Sequence, residues 1–224
     1  MIENPSQRAS SAERLKVTEI FTSLQGESRT VGWPTTFIRL TGCPLRCTYC
    51  DTEYAFTGGE WMSLPAVVAQ VAAFPARHVT VTGGEPLAQK HCATLLSLLA
   101  DAGYHISLET SGALDVSVVD ARVVKVMDLK TPDSGEAQRN RYQNLDCLTL
   151  RDQVKFVIGS RADYEWTKEM MTQYDLVDKC EVLISPVHDR LDPAALADWM
   201  LQDGLQARFQ LQLHKLLWGD EAGR

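Results

Sequence analysis

The chain has 224 residues, of which 45% are hydrophobic and 23% are charged, and its formal net charge is -7. This composition is typical of a soluble globular protein, and the acidic balance argues against a nucleic-acid binder, whose footprint is a basic patch. No apolar run approaches the roughly 18 residues that suggest a membrane-spanning helix, and the polar start lacks the apolar core of a secretory signal. We therefore expect no nucleic-acid partner and no membrane association.

The six cysteines of this chain do not resemble the disulfide framework of a short secreted domain. Cys92, Cys147 and Cys180 stand alone in the sequence. We expect these three to be small buried side chains, because free cysteine is among the most buried residue types. The cysteine usage favours a reducing cytoplasm.

The hydrophobic pattern predicts strands that alternate with helices. Residues 1–14 are polar and aperiodic, which predicts a flexible N-terminal segment. We predict strands at residues 16–21, 35–40, 78–82, 104–108, 123–127, 153–158, 181–184 and 208–213. We predict helices at residues 63–74, 89–102, 135–150, 161–174 and 192–202, with Ser63 and Asp192 as N-caps.

Alternating strands and helices indicate βα units on a parallel sheet. In several units a polar or glycine-containing group follows the strand directly, and ligands bind at that end of a parallel sheet. The units are too few for a closed eight-stranded barrel. We therefore predict a partial, open α/β barrel of about six to seven mostly parallel strands. No linker interrupts residues 16–218, so we expect a single domain over residues 1–224 with a tail at 219–224.

Three cysteines fall within eight residues: Cys43, Cys47 and Cys50, spaced C-x3-C-x2-C. A structural zinc site closes four ligands around its ion, and an electron-transfer [4Fe–4S] cluster normally takes four thiolates. Three thiolates on one loop instead suit a cluster with one iron left open to another ligand. A zinc site or a ferredoxin-type cluster, completed by His214 or a lone cysteine, is the alternative.

The run resembles C-x3-C-x-aromatic-C, the signature of the radical S-adenosylmethionine superfamily, with Tyr49 as the aromatic residue. The segment TGGEP at residues 82–86 resembles the superfamily's GGE segment. The resemblance implies a partial barrel of that type and a [4Fe–4S] cluster on the three cysteines. It also implies S-adenosylmethionine at the open iron, cleaved there to a radical, so that no side chain is expected to act as the catalytic group. The implied cofactor contacts are Tyr49, Gly83, Gly84, Glu85, Glu109, Thr110, Ser111, Asp128 and Lys130.

Within the superfamily the chain resembles the 7-carboxy-7-deazaguanine synthase family over about residues 16–215. The resemblance is carried by LQGE (24–27), FIR (37–39), CDT (50–52), TGGEP (82–86), ETSG (109–112) and QLHK (212–215). It implies a carbon–nitrogen lyase of queuosine and deazapurine biosynthesis. The implied reaction is a radical ring contraction of 6-carboxy-5,6,7,8-tetrahydropterin, with loss of ammonia, to 7-carboxy-7-deazaguanine.

This family resemblance implies Mg2+ on Thr52, and it implies substrate contacts by Leu24, Gln25, Gly26, Glu27, Arg39, Thr82 and His214. The residue chemistry agrees, because a carboxylate such as Glu27 can accept hydrogen bonds from the amide and amino edge of a pterin. Arg39 can form a bidentate pair with the substrate carboxylate, and Mg2+ prefers oxygen ligands. The simpler interpretations are a solvated loop acid for Glu27, an exposed strand residue for Arg39 and a turn residue for Thr52.

The sequence also departs from the family pattern. Asp128-Leu129-Lys130 stands where the family reads Ser-Pro-Lys, and Leu213 replaces a threonine near the end. The family further implies an electron donor such as flavodoxin and a homodimer. Two rival functions are a glycyl-radical enzyme activase, which needs a protein partner and no Mg2+, and a zinc-stabilised binding module.

Overall fold

The structure is a computed structural model that describes residues 13–219, 221 and 223. Its strands are β1 (Arg14–Leu24), β2 (Pro34–Leu40), β3 (Glu60–Ser63), β4 (His78–Gly83), β5 (His105–Thr110), β6 (Val124–Asp128), β7 (Gln153–Ile158), β8 (Glu181–Pro186) and β9 (Arg208–Phe209). Its helices are α1 (Leu64–Ala72), α2 (Cys92–Asp101), α3 (Arg161–Gln173), α4 (Leu176–Lys179), α5 (Pro193–Asp203) and α6 (Leu213–Trp218).

The described strands form one nine-stranded sheet in the order β3-β1-β2-β4-β5-β6-β7-β8-β9. Every pairing from β2 across to β9 is parallel, whereas β1 is antiparallel to both β2 and β3. The sheet ends at β3 on one side and at β9 on the other, so the prediction of an open, mostly parallel barrel is confirmed. The strand count is higher than predicted, partly because β3 (EWMS) shows no alternation that the sequence pattern could detect.

Helices pack against the sheet in two clusters of buried apolar side chains. Leu95, Leu96 and Leu99 of α2 are fully buried in the first cluster, with α1 and strands β1, β2, β4 and β5. Phe156 of β7 and Tyr164 of α3 are fully buried in the second, with β8 and α5. Burial of each such side chain is worth about 1.5–3 kcal/mol. These contacts fix the strand ends on which the site described below is built.

The predicted helix starts are confirmed by their caps. The hydroxyl of Ser63 accepts a hydrogen bond from the backbone N–H of Ala66, at 3.4 Å. The carboxylate of Asp192 accepts one from Ala194, at 3.1 Å, and Pro193 is the first residue of α5. Each cap satisfies one of the backbone donors that a helix start leaves without a partner.

Two predicted elements are wrong. Residues 135–150 form short 3-10 turns instead of a helix, because tertiary hydrogen bonds replace helical ones: Asn144 Nδ2 donates to the carbonyls of Gly112 (2.9 Å) and Leu114 (2.7 Å). Residues 208–213 are a strand only at Arg208 and Phe209. Gln210 still donates its backbone N–H to Ile184 of β8, at 2.9 Å, but its side-chain amide exchanges two hydrogen bonds with the backbone of Ser28, and the regular strand pairing ends at this point.

The terminal predictions fall mainly outside the described residues. Residues 1–12 of the predicted flexible segment are not described, and Arg14 begins β1, paired with Ser63. Cys92 and Cys180 are buried as predicted, whereas Cys147 is only partly buried. In the described part of the chain, no helix is long and apolar enough to cross a membrane.

Candidate functional site

The carboxyl ends of the parallel strands open into a cavity of about 750 Å³. This is the edge of a parallel sheet at which ligands bind. Every residue predicted for the site lines the cavity except Glu85. The residues that the sequence singled out therefore lie together, and the structure adds which of them are already paired with one another.

The cysteine loop follows β2 and forms one wall of the cavity. Cys43, Cys47 and Cys50 are partly exposed, are free of disulfides and line the cavity together. Burial raises the pKa of all three thiols, that of Cys47 to about 11. The charges of Cys43 and Cys50 add to the rise at Cys47, which Lys130 opposes, so the three sulfurs lie close enough to interact.

This donor set fits an iron–sulfur cluster better than a zinc ion. A structural zinc ion needs four convergent ligands, and among residues 13–219, 221 and 223 no three His, Cys, Asp or Glu side chains converge on one point. A cubane cluster takes each thiolate at a different iron. Three thiols spread along one loop and facing one cavity suit that arrangement.

Two glycines at the end of β4 hold the cysteine loop in place. A Cβ atom on Gly83 would lie 2.2 Å from the carbonyl oxygen of Leu40, and one on Gly84 would lie 2.2 Å from that of Gly42. The backbone N–H of Glu85 donates to the same Gly42 oxygen, at 2.8 Å. The glycine pair thus allows the strand end and the loop to pack backbone to backbone, which a side chain would prevent.

The carboxylate of Glu85 is directed into the protein and not into the cavity. It is fully buried and accepts hydrogen bonds from Thr110 Oγ1 and from both the N–H and the hydroxyl of Ser111. It also accepts one from the N–H of Leu87, at 2.9 Å. Thr110 and Ser111 line the cavity, but their hydroxyls are committed to Glu85. A ligand contact by Glu85 therefore has to come from its backbone.

The end of β6 carries an ion pair in which one carboxylate oxygen has no hydrogen-bond partner in the described part of the chain. Lys130 Nζ lies 2.8 Å from Asp128 Oδ2 and 5.9 Å from the centre of the Tyr49 ring. Burial opposes the charge on Lys130, but Asp128 and Tyr49 outweigh it and raise the pKa of the ammonium group. Asp128 Oδ1 and Ser185 Oγ are buried without a hydrogen-bond partner in the described part of the chain, and both residues line the cavity. Such buried polar atoms indicate that a polar ligand belongs here.

The loop that follows β1 forms a second wall of the cavity and lies against residues of α6. Gly26 accepts a hydrogen bond from the N–H of Leu213, at 3.0 Å, and a Cβ atom on Gly26 would lie 2.4 Å from Nδ1 of His214. Burial lowers the pKa of His214. Leu24 lines the same wall. This contact places Gly26 and His214, two residues that were predicted to bind substrate, side by side.

Behind this wall, Gln25 is buried and connects two strand ends. Its side-chain amide donates to Thr80 Oγ1 (3.1 Å) and lies 3.4 Å from Glu109 Oε1. Glu109 also accepts a hydrogen bond from Thr82 Oγ1, at 2.9 Å. Burial and the nearby charge of Glu27 raise the pKa of Glu109.

Arg39 is held by its own neighbours. Its Nε lies 2.7 Å from Glu19 Oε1, and its guanidinium lies over the rings of Phe21 and Tyr54, at 5.8 and 5.7 Å. Its side chain is 16% exposed and lines the cavity. The interpretation of Arg39 as an exposed strand residue is therefore wrong. The fork of Nη1 and Nη2 makes no hydrogen bond within the described chain and can serve a ligand carboxylate.

Thr52 stands beside a second carboxylate that the sequence did not single out. Its hydroxyl donates to Asp51 Oδ1 at 2.8 Å, and Gln212 donates to Asp51 Oδ2 at 3.2 Å. Burial opposes the charge on Asp51, but these two hydrogen bonds outweigh it and lower its pKa. Hydroxyl and carboxylate oxygens are the ligands that Mg2+ prefers.

Lys155 is the site residue that sequence reasoning missed. It lies on β7, lines the cavity and places Nζ 2.5 Å from Oε2 of Glu27. Glu27 is only 14% exposed on its side chain, so the interpretation as a solvated loop acid is wrong. The sequence of β7, QVKFVI, does not indicate whether the lysine side chain faces the cavity. No sequence pattern indicates that Glu27, in the loop after β1, is its partner.

Comparison with known proteins agrees with this geometry. A family model described as the Radical SAM superfamily matches residues 37–173. The chain is 44% identical to a 7-carboxy-7-deazaguanine synthase of Chlorobaculum tepidum, covering 93% of this chain and 96% of that one. It is 43% identical to one of Koribacter versatilis, covering 92% and 98%. Among solved structures, QueE from Escherichia coli matches the fold with a TM-score of 0.73 and 24% identity, over 88% of this chain and 94% of that one.

Proposed function

Because the chain belongs to the 7-carboxy-7-deazaguanine synthase family of the radical S-adenosylmethionine superfamily, we infer that it converts 6-carboxy-5,6,7,8-tetrahydropterin to 7-carboxy-7-deazaguanine. It is a carbon–nitrogen lyase of deazapurine biosynthesis, and it feeds queuosine formation. The observation that carries this inference is that three free thiols and a set of paired charged side chains line one cavity. Neither rival function, the activase or the zinc module, accounts for the similarity along nearly the whole chain.

We propose that Cys43, Cys47 and Cys50 hold a [4Fe–4S] cluster whose open iron receives S-adenosylmethionine. When bound, the two groups supply one-electron radical chemistry, and the protein contributes orientation and exclusion of water. The free oxygen of Asp128 and the ammonium of Lys130 suit the charged amino acid end of the cofactor. The other cofactor contacts in this proposal are Tyr49, Gly83, Gly84, the backbone of Glu85, Glu109, Thr110 and Ser111.

The wall formed by the loop after β1 would bind the pterin. In this proposal Glu27 accepts from the amide and amino edge of the ring, and Arg39 pairs with the carboxylate of the substrate. The loop backbone (Leu24, Gln25 and Gly26), Thr82 and His214 complete the substrate contacts. Fixing the ring between two charged anchors orients the carbon that bears the carboxylate toward the cysteine wall.

Mg2+ would bind at Thr52, close to the carboxylate of Asp51. Mg2+ keeps several water ligands and needs few protein oxygens. Since Thr52 and Arg39 both line the cavity, the metal and the guanidinium can share the charge of one substrate carboxylate.

The cellular setting of this proposal follows from the same chemistry. Free thiols that load an iron–sulfur cluster need a reducing compartment, so we place the protein in the cytoplasm. An electron donor of the flavodoxin type would reduce the cluster, and a homodimer is the assembly that the family implies. Mass measurement in solution and reduction by purified flavodoxin test these two points.

An anaerobic turnover assay tests the function. The protein is reconstituted with iron and sulfide, reduced, and given S-adenosylmethionine, Mg2+ and 6-carboxy-5,6,7,8-tetrahydropterin. We expect 7-carboxy-7-deazaguanine from the wild type and from Cys147→Ala, and none from Cys47→Ala. Formation of 5′-deoxyadenosine without the deazapurine would contradict the substrate assignment but not the superfamily.

A further inference from the structure

Lys155 lies at the centre of a buried group of charges that joins the two walls of the cavity. Its Nζ lies 2.5 Å from Glu27 Oε2 and 3.9 Å from Asp128 Oδ2, and the three side chains are 14%, 14% and 17% exposed. Burial opposes the charge on Lys155, but Glu27, Asp128 and Glu109 outweigh it and raise the pKa of the ammonium group. One cation thus lies against the carboxylates of two segments, the loop after β1 and the end of β6.

The two oxygens of Glu27 are each held by one donor. Oε2 accepts from Lys155 Nζ, and Oε1 accepts from Gln212 Nε2 at 2.8 Å. An ionised carboxylate offers about four acceptor positions, two on each oxygen. Among the described residues these are the side-chain donors to Glu27, so one position is left on each oxygen, and two such positions can accept two parallel N–H donors.

Lys155 supplies the positive charge that holds the Glu27 carboxylate in this orientation, and Gln212 adds a neutral hydrogen bond. Glu27 lies near Glu109, whose pKa its charge raises, and like charges in a buried site repel one another. The loop that carries Glu27 is otherwise fixed through backbone contacts, such as that of Gly26 with Leu213. The direction of the carboxylate depends on Lys155 and Gln212.

We propose that Lys155 is a positioning residue that sets substrate specificity: it holds Glu27 so that its two free acceptor positions meet the adjacent amide and amino donors of a 2-amino-4-oxo ring. The inference rests on the proposed role of Glu27. It implies that the protein distinguishes pterins from analogues in which the 2-amino group is replaced by oxygen, and that this distinction depends on Lys155.

The chain offers a matched control on the neighbouring strand. Lys125 of β6 is also buried and also pairs with a buried carboxylate, with Nζ 3.1 Å from Asp152 Oδ2 and side-chain exposures of 7% and 2%. Neither residue lines the cavity. Removing the Lys125 charge therefore reproduces the loss of a buried ion pair without touching the site.

The test measures dissociation constants of 6-carboxypterin and 6-carboxylumazine on reconstituted protein with S-adenosylmethionine and Mg2+. We expect the wild type to prefer the pterin by about tenfold or more, the effect of a good bidentate contact. In Lys155→Met the preference should fall below about threefold, since the oriented pair of acceptors is lost. Lys125→Met should keep the wild-type preference while its melting temperature falls. If Lys155→Met does not fold, Lys155→Gln takes its place with the same expectation.

If the Lys155 variant prefers the pterin over the lumazine as strongly as the wild type does, the inference is wrong. Glu27→Gln separates this failure from failure of the proposed function. If Glu27→Gln discriminates as the wild type does, or if the wild type shows no preference, Glu27 does not read the ring edge and its proposed role fails. If Glu27→Gln loses the preference but Lys155→Met keeps it, only the role of Lys155 is wrong.

Discussion

Ser111 donates both its backbone N–H and its hydroxyl to the buried carboxylate of Glu85. This contact ties the end of β5 to the end of β4, and Thr110 adds a third donor to the same carboxylate. The ends of two neighbouring strands, β4 and β5, are therefore held together by one buried side chain. The ligand-facing surface depends on a residue that faces away from the ligand.

Glu85→Gln should destabilise the protein by about 2–3 kcal/mol, because an amide nitrogen cannot accept these hydrogen bonds and charge-assisted bonds are strong. Urea unfolding of the metal-free protein measures the loss. The exposed Glu169 provides the control, and Glu169→Gln should change stability by less than about 0.5 kcal/mol. Equal stability of the two variants would show that the buried contacts at Glu85 contribute nothing.

Gly84→Ala should impair cluster loading. The added methyl group would lie 2.2 Å from the carbonyl oxygen of Gly42 and 2.8 Å from Cβ of Cys43, so the cysteine loop has to move. We expect a clear fall in iron bound per folded chain after anaerobic reconstitution.

Gly204→Ala is the matched control for that variant. Gly204 ends α5 with φ +58°, and a Cβ atom there meets nothing within 4 Å. It should cost about 1 kcal/mol of stability through backbone strain and leave the iron content unchanged. Normal iron content in Gly84→Ala would contradict the packing role of the glycine pair.

Arg39→Met should weaken binding of 6-carboxypterin roughly 10- to 100-fold, because the hydrogen bonds of the guanidinium fork to a carboxylate are charge-assisted. Binding of pterin without the carboxylate should hardly change. Arg14→Met is the control. Arg14 is the exposed first residue of β1, and its side chain bonds only to the carbonyl of Trp61 in the described chain. Equal losses for both probes would show that Arg39 supports the fold and does not pair with the carboxylate.

His214 should make the stability pH-dependent. Burial lowers the pKa of His214 below 6.5 in the folded state, so between that lowered pKa and 6.5 the unfolded chain binds more protons than the folded one. The stability that this group contributes is therefore fully present above pH 6.5, and it is lost as the pH falls from 6.5 toward the lowered pKa.

Urea titrations from pH 7.5 to 5.5 compare the wild type with His214→Gln. The stability difference, wild type minus variant, should decrease on acidification, with a slope of at most about 1.4 kcal/mol per pH unit. A difference that stays constant over this range would show that His214 is not desolvated in the fold.

The sequence predicted much of this site because its chemistry is local. Cys43, Cys47 and Cys50 share one loop, and the glycine and acidic groups directly follow predicted strands. Strand ends of a parallel sheet meet at one edge, so chain order was sufficient to bring these groups together.

What the sequence could not predict is set by contacts between distant segments. Lys155 and Glu27 are 128 positions apart, and nothing in the sequence around either residue indicates that the two form an ion pair. The regular part of β9 ends at Phe209, next to the point where the side-chain amide of Gln210 exchanges hydrogen bonds with the backbone of Ser28. Asn144 likewise donates to the carbonyl of Gly112, and the segment around it forms short turns where a helix was predicted. In each case a tertiary hydrogen bond overrides a local pattern.

The cysteine loop and the loop after β1 line one cavity, and we propose that the cofactor and the substrate carbon meet in it. The most direct measurement uses substrate deuterated at the carbon that bears the carboxylate, in a reduced anaerobic reaction with S-adenosylmethionine and Mg2+. We predict that mass spectrometry finds deuterium in the 5′-deoxyadenosine that is formed together with 7-carboxy-7-deazaguanine. Product formation with 5′-deoxyadenosine free of deuterium would contradict the account.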